Sequence, residues 1–143
     1  MGRGAFSSFD ISASGMAAER MRMNVIANNL ACAEVTRTPE GGPYKRQVVV
    51  FEQALTDAQH RLDGLMGDLG AGVRVVDVVP ARNPVRTVQM PGHPDADENG
   101  NVQMPNVNMI EEMLDMMTAT RGYEANVMAI SAAKQMILKA LDI

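Results

Sequence analysis

The sequence predicts a mainly α-helical protein with a small β-rich insert, in which elongated N- and C-terminal helices form a coiled-coil hairpin. Two observations carry this prediction. Apolar residues recur at helical spacing in both terminal segments, and the segment between them holds the turn formers and short runs of β-branched residues. We therefore expect an N-terminal helix in residues 1–35, a β-rich middle domain with loops in 36–106, and a C-terminal helix in 107–143.

The N-terminal helix is predicted to run from Ser7, a candidate N-cap, to about residue 33. Its apolar seam is spaced alternately by four and three residues, with Arg20 as a polar interruption. Gly15 costs about 1 kcal/mol relative to alanine inside a helix, so this helix is expected to need packing partners. The seam consists of Phe9, Ala13, Met16, Arg20, Met23, Ala27 and Leu30.

The C-terminal helix is predicted over residues 109–141, with Asn108 as its N-cap. Acidic residues follow the cap and lysines precede the end, which suits the helix dipole. Two adjacent seams run along it, and a helix that is apolar on two seams needs more than one partner. The first seam is Met109, Met113, Met116, Thr120, Tyr123, Val127, Ile130, Lys134, Ile137 and Leu141. The second, apolar in its first third and mixed afterwards, is Ile110, Leu114, Met117, Arg121, Glu124, Met128, Ser131, Gln135 and Leu138.

The length of the C-terminal helix indicates assembly. A helix over 109–141 spans about 50 Å at 1.5 Å per residue, whereas a compact chain of 143 residues is roughly 40 Å across. The helix would overhang its own domain and leave apolar surface for other chains. The 13 methionines fit either an ordinary core or adaptable interfaces.

The middle segment is predicted to contain three strands, at residues 46–51, 73–79 and 85–88, with a loop at 38–43. Residues 52–72 are polar and become glycine-rich after Gly64. They are expected to form a short helix followed by a mobile loop.

Composition excludes several classes of protein. The net charge of −4 and the pI of about 5.1 argue against nucleic-acid binding, which needs a basic face. No apolar run approaches the roughly 18 residues of a membrane span, and the first residues lack the pattern of a secretory signal peptide. The single cysteine, Cys32, has no partner for an internal disulfide. Composition alone therefore favours a cytosolic protein.

No arrangement of nucleophile and base is visible. The two histidines, His60 and His93, lie in polar or proline-rich segments, and neither is paired with Cys32 or a serine at a recognisable spacing. A small hydrolase is therefore the weaker alternative. We expect no catalytic residue and no cofactor.

The segment from Asp95 to Gly100 resembles the first half of a calcium loop, with oxygen ligands at Asp95, Asp97 and Asn99. Its twelfth position falls on Asn106 instead of the usual glutamate, and no helix enters the loop. A tight turn at Asn99 and Gly100 is the favoured interpretation. We expect no tightly bound metal.

Four stretches of the chain resemble the axial flagellar proteins, the family of rod, hook and hook-associated subunits. The first reads Asn-Val-Ile-Ala-Asn-Asn-Leu-Ala-Cys-Ala at residues 24–33. The others are 36–46, 91–100 with 104–113, and 120–126 through 133–136, which look like the proximal rod subunits of that family. Members usually carry asparagine where this chain has Cys32, and alanine where it has Gly122.

The resemblance implies a non-enzymatic structural subunit of the basal-body rod in the periplasmic space, exported by the flagellar type III apparatus without a cleaved signal peptide. This corrects the cytosolic expectation. It also implies that both terminal helices form an inner coiled-coil layer around the central channel, in a helical array that transmits torque, with the middle segment outside. The implied partners are other copies, other rod subunits, and the MS ring with its adaptor protein.

On this basis we expect subunit contacts at apolar positions of both helices and at three polar positions, Asn28, Asn29 and Arg121. The apolar candidates are Met16, Met23, Ile26, Leu30, Met109, Met113, Met116, Tyr123, Val127, Ile130 and Ile137.

Overall fold

The computed structural model describes residues 3–54 and 72–141, and within these ranges it contains two long helices and four short strands. The elements are, in chain order, α1 (Arg3–Ala31), β1 (Gln47–Gln53), β2 (Val73–Pro80), β3 (Val85–Gln89), β4 (Asn101–Pro105) and α2 (Met109–Leu141). The prediction of terminal helices with short strands between them is confirmed, and the strands pair antiparallel. The short helix and loop expected in 52–72 lie almost entirely outside the described residues, apart from Glu52 and Gln53 of β1, Ala54 and Gly72.

Helix α1 begins earlier than predicted, and Ser7 is not its N-cap because the helix already includes Arg3. Nothing between residues 3 and 7 is a proline or a β-branched residue that would stop the helix. The helix ends at Ala31, and a single further turn is closed by the amide of Cys32, which donates to the carbonyl of Asn28 at 3.0 Å.

Helix α2 has the predicted bounds, and Asn108 is its N-cap. The Oδ1 atom of Asn108 accepts a hydrogen bond from the amide of Ile110 at 3.1 Å, and its carbonyl accepts one from the amide of Glu112 at 3.0 Å. This satisfies one of the amides that the first turn leaves without intrahelical partners.

The two helices pack side by side in opposite directions. Gly15 lies against Asn126 and Gly122 lies against Glu19, while Asn29 bonds to Glu112. Residues later in α1 therefore meet residues earlier in α2. The α2 side chains turned to α1 are buried or half-buried at alternating spacings of four and three residues. They are Glu112, Met116, Ala119, Tyr123, Asn126, Ile130, Ala133 and Ile137.

The face that α1 buries is rotated from the predicted seam. Ala13, Arg20 and Ala27 are exposed, whereas Ser12 and Asn29 are buried. The seam prediction was wrong at those three positions, whereas Phe9, Met16, Met23 and Leu30 of the same seam are half-buried. The contact instead uses small and polar residues, and α1 also packs against β1 and β2.

The strands form two separate antiparallel pairs, β1 with β2 and β3 with β4. A bulge interrupts the first pair between Val50 and Phe51. Ser14 of α1 holds this pair in place, since its Oγ accepts a hydrogen bond from the amide of Val73 at 3.1 Å. Strand β4 was not predicted, because its five residues offer only Val102 and Met104 as apolar positions.

The buried apolar core of the described residues is small and half of it is alanine. Its members are Ala18, Ile26, Val102, Val107, Ala119 and Ala133. Most of the large apolar side chains of α2 are therefore outside the core.

Candidate assembly surface

The end of α1, the start of α2 and the start of β1 meet at a buried carboxylate. Glu112 is 1% exposed. Its Oε1 accepts a hydrogen bond from Nε of Arg46 at 2.6 Å, and its Oε2 accepts one from Nδ2 of Asn29 at 3.1 Å. A charge this deeply buried needs such partners, and removing one of them is far more costly than breaking a surface ion pair.

The side chain of Asn29 hydrogen-bonds to both backbone groups of Gln47, as a neighbouring strand would. Its Oδ1 accepts the amide of Gln47 at 2.9 Å and its Nδ2 donates to the carbonyl of Gln47 at 2.8 Å. The hydroxyl of Tyr44 also donates to Oδ1 of Asn29, at 2.9 Å. Every polar group of the Asn29 side chain is therefore used inside the chain, and it fixes α1 to the first residue of β1.

Tyr44 completes this junction. Asn28 donates to its hydroxyl at 3.1 Å. Burial raises the pKa of Tyr44 because a phenolate loses solvation there, and the hydrogen bond from Asn28 partly opposes the shift. The tyrosine is therefore a neutral donor to Asn29 at physiological pH.

Small residues bring the two helices close together further along their contact. A Cβ atom on Gly15 would lie 2.9 Å from Nδ2 of Asn126, and one on Gly122 would lie 3.3 Å from the carboxylate of Glu19. Asn126 in turn donates to the carbonyl of Gly122 at 2.9 Å. These complementary pairs of a glycine and a polar side chain fix the register of α1 against α2.

The opposite face of α2 is an apolar ridge exposed to solvent. We call this set, in which every member is more than half exposed, the outer ridge. It consists of Ile110 (78%), Met113 (55%), Leu114 (63%), Met117 (56%), Met128 (66%) and Leu138 (52%). Its first four members form an apolar patch at the start of α2, and Met128 and Leu138 lie further along, beyond the exposed polar residues Arg121 and Glu124. An exposed apolar patch of this kind marks an interaction site.

The predicted interface residues are divided between this exposed surface and the interior of the chain. Asn28, Arg121, Val127, Met109 and Met113 are exposed. Half-buried are Met16, Met23, Leu30, Met116, Tyr123, Ile130 and Ile137.

Ile26 and Asn29 are buried inside the chain, at 5% and 1% exposure, so neither side chain reaches the surface. The polar role expected for Asn29 between subunits is filled by its bonds to Gln47 and Glu112. This differs from the sequence expectation because the distant partners of an asparagine in a helix cannot be read from local spacing.

Sequence reasoning omitted most of the outer ridge from its chosen interface residues, although the second seam already contained it. It also missed Arg46 and Glu112. A glutamate in the first helical turn looks like a dipole-stabilising surface residue, and only the packing of α1 and β1 shows that it is buried.

The loop from Asp95 to Gly100 is a turn stabilised by its own side chains. Oδ1 of Asp97 accepts the amides of Asn99 at 2.9 Å and Asn101 at 2.7 Å. Gly100 adopts φ 78°, and its amide closes the turn on the carbonyl of Asp97 at 2.9 Å.

Asp95 ties this loop to the segment after α1. The Thr36 hydroxyl donates to it at 2.8 Å, and the Arg37 guanidinium pairs with it. These contacts, led by the Thr36 hydrogen bond, lower the pKa of Asp95. In residues 3–54 and 72–141 no group of three or more His, Cys, Asp or Glu side chains is placed to hold a metal ion.

Within the same described ranges, neither helix is long and apolar enough to cross a membrane.

Comparison with known proteins defines the class. Residues 9–37 match the family model described as "Flagella basal body rod protein", and residues 98–143 match that described as "Flagellar basal body rod FlgEFG protein C-terminal". These matches cover α1 from Phe9 onward and all of α2, including the outer ridge. The chain is a flagellar basal-body rod protein, as the resemblance implied.

Full-length relatives give the particular family. The chain is 40% identical to the flagellar basal-body rod protein FlgC of Borreliella burgdorferi, over 98% of this chain and 97% of the relative. It is 40% identical to FlgC of Salmonella typhimurium, over 94% of each chain, and 39% identical to FlgC of Bacillus subtilis, over 97% of each. The chain belongs to the FlgC family. It is a structural component of the flagellar basal body and not an enzyme.

Proposed function

We propose that the outer ridge of α2 is the surface by which this chain assembles into the rod, with copies of itself and with other rod subunits. One observation carries the proposal: the ridge lies opposite the α1 contact, and all of its side chains are large, apolar and more than half exposed. Burying one such side chain contributes about 1.5–3 kcal/mol. Burial of the ridge in an assembly thus contributes binding energy from apolar side chains that lie outside the small internal core.

The helix pair is proposed to act as a coiled-coil hairpin that forms the inner layer of the rod around the export channel. Its support is the alternating four-and-three spacing of the α2 residues that face α1. Residues 1–35 and 107–143 would then form one structural unit, and residues 36–106 an outer one. The Glu112 junction would hold the two units at a fixed angle.

Torque transmission follows from this arrangement. A helical array made by heterologous contacts shares load across many interfaces, and the internal bonds of Asn29 and Glu112 stiffen each subunit. In this proposal the chain lies in the periplasmic part of the basal body. It reaches this position through the flagellar type III export apparatus without a cleaved signal peptide, and near the base of the rod it contacts the MS ring and its adaptor protein.

The proposal is tested by polar substitution on the ridge. Leu114→Ser should reduce incorporation into purified basal bodies by about tenfold or more, because the contact loses the burial energy of a leucine. Gln135→Ser, also exposed on α2, is the matched control and should incorporate normally. Circular dichroism checks that both variants remain folded. Normal incorporation of a folded Leu114→Ser variant would refute the proposal.

A further inference from the structure

The methionines of α2 fall into two groups according to their exposure. Met116 is half-buried on the face turned to α1. Met113, Met117 and Met128 belong to the outer ridge and are more than half exposed. Met113 and Met117 lie about one helical turn apart, and they are two of the four members of the apolar patch at the start of α2.

The methionines of the internal helix contact are shielded from solvent. Met16, Met23 and Met116 are half-buried, and the sulfur of Met23 lies 3.6 Å from the hydroxyl of Thr120 on the other helix. A dissolved oxidant reaches an exposed sulfur more easily than a shielded one, so these three should react more slowly than the ridge methionines. Exposure thus separates the methionines that pack the two helices together from those on the assembly surface.

The thioether is the one group of the outer ridge that a mild oxidant can change. The other members are leucine and isoleucine, whose hydrocarbon side chains do not react with peroxide. Oxidation to the sulfoxide converts methionine from a flexible apolar side chain into a polar one, and the change can be reversed. The ridge therefore carries three positions at which its apolar character can be removed and restored.

We propose that Met113, Met117 and Met128 form a reversible oxidation site that determines whether this chain can assemble. Hydrogen peroxide transfers one oxygen atom to each sulfur, which loses two electrons, and the O–O bond breaks to release water. A methionine sulfoxide reductase reverses the step. The sulfoxide oxygen then leaves as water, while two thiols of the reductase are oxidised to a disulfide. The inference rests on the proposed function, because it names a regulation of the outer ridge.

The position of the three sulfurs decides which property oxidation changes. In the free chain each sulfoxide oxygen stays in water, so the fold should be unaffected. In the assembled rod the same oxygen would be buried in an apolar contact without a hydrogen-bond donor, which is unfavourable. Oxidation should therefore prevent assembly without unfolding the chain, and assembly should protect the sulfurs from oxidation.

Peroxide treatment of cells that are building rods tests the proposal. The measured quantity is the incorporation of a variant into purified basal bodies with peroxide, divided by its incorporation without peroxide. Met113→Leu, Met117→Leu and Met128→Leu are combined in one chain, because leucine keeps the size and apolar character of methionine and cannot be oxidised. At the same dose of peroxide, the ratio for this triple variant should exceed the ratio for the unaltered chain by about tenfold or more.

Met90→Leu combined with Met136→Leu is the matched control, since it removes two exposed methionines that lie outside the outer ridge. Its ratio should equal that of the unaltered chain. Mass spectrometry of unassembled chain should find sulfoxide at the three ridge positions, and circular dichroism of the oxidised, purified chain should show unchanged helix content. When the peroxide is removed and protein synthesis is stopped, the sulfoxide content should fall and incorporation should recover.

Four results would overturn the proposal. Equal ratios for the unaltered chain and the triple variant would show that oxidation of the ridge does not limit assembly. A control variant as resistant as the triple variant would show that the ridge positions are not special. Loss of helix content on oxidation would place the effect on folding, and failure of incorporation to recover would show that the site is not reversible.

The two proposals can fail separately. If Leu114→Ser blocks incorporation while the unaltered chain and the triple variant respond equally to peroxide, the ridge is an assembly surface and only this inference is wrong. If a folded Leu114→Ser variant incorporates normally, the proposed function itself is wrong.

Discussion

The two long faces of α2 differ in composition and in what they contact. The face against α1 alternates small or polar residues, from Glu112 at one end to Ala133 near the other, with larger half-buried side chains, and the glycine pairs set the spacing. The outer ridge is built from large apolar side chains that the chain leaves in solvent. Internal contacts thus determine geometry and register, while the apolar surface that usually forms a core remains for other chains.

The largest expected effect comes from breaking the internal face at its buried charge. Glu112→Ala leaves Arg46 without its partner and removes a bond to Asn29, so the free energy of unfolding should fall by about 3 kcal/mol. Glu111→Ala is the matched control, since it removes an exposed neighbour with the same side chain, and it should change stability by less than about 0.5 kcal/mol. Chemical denaturation followed by circular dichroism measures both. Equal effects of the two substitutions would show that the junction contributes no special stability.

This contrast between Glu111 and Glu112 also shows what the sequence could and could not predict. The bounds of α2 and its cap at Asn108 follow from local signals, and the structure confirms them. Which of two adjacent glutamates is buried depends on Arg46 and Asn29, which lie far away in the sequence. The rotation of the α1 seam has the same origin, because Gly15 fits against Asn126 only in the folded pair.

Strand β4 is a second feature that the local sequence does not predict. Its sequence has little β-propensity, and it forms because the turn closed by Gly100 returns the chain beside β3. The turn was predictable from its residues. The strand after it depends on the register set by that turn and on the burial of Val102, which is completely inaccessible to solvent.

The second expected effect compares the two glycines of the helix contact. Gly122→Ala should stabilise the protein by up to about 1 kcal/mol, because alanine favours the helix and the contact, at 3.3 Å, is with the end of the flexible Glu19 side chain, which has to shift by only a few tenths of an ångström. Gly15→Ala gains the same propensity but collides with the Asn126 side chain, which is held by its bond to Gly122.

We therefore expect Gly15→Ala to be less stable than Gly122→Ala by at least about 1 kcal/mol, a typical cost of overpacking. Thermal denaturation of both variants measures the difference. Equal gains from the two alanines would mean that the register is not set by these pairs.

The smallest expected effect concerns the loop from Asp95 to Gly100, which belongs to neither face of α2. The pKa of Asp95 lies below its ordinary value of 3.8, so the folded state binds its proton more weakly than the unfolded state does. The contribution of the Asp95 carboxylate to the free energy of unfolding is therefore present above about pH 3.8, and it is lost as the pH falls through the lower, folded-state pKa.

Asp95→Asn should remove this part of the acid dependence while leaving the helices unchanged. Stability measured between pH 2 and 6 tests this, with Asp97→Asn as the comparison. An unchanged acid dependence in Asp95→Asn would contradict the tie to Thr36 and Arg37.

The central claim is that the outer ridge is exposed in the free chain and covered in the rod, and the methionines provide the probe for it. Peroxide should oxidise Met113, Met117 and Met128 readily in the isolated protein, because all three are more than half exposed. In purified basal bodies the same three methionines should be protected from oxidation. Met90, which follows β3 and is 41% exposed, should remain reactive. Mass spectrometry of the oxidised peptides reports each site. Equal oxidation of the ridge methionines in the free chain and in the assembled rod would contradict the account.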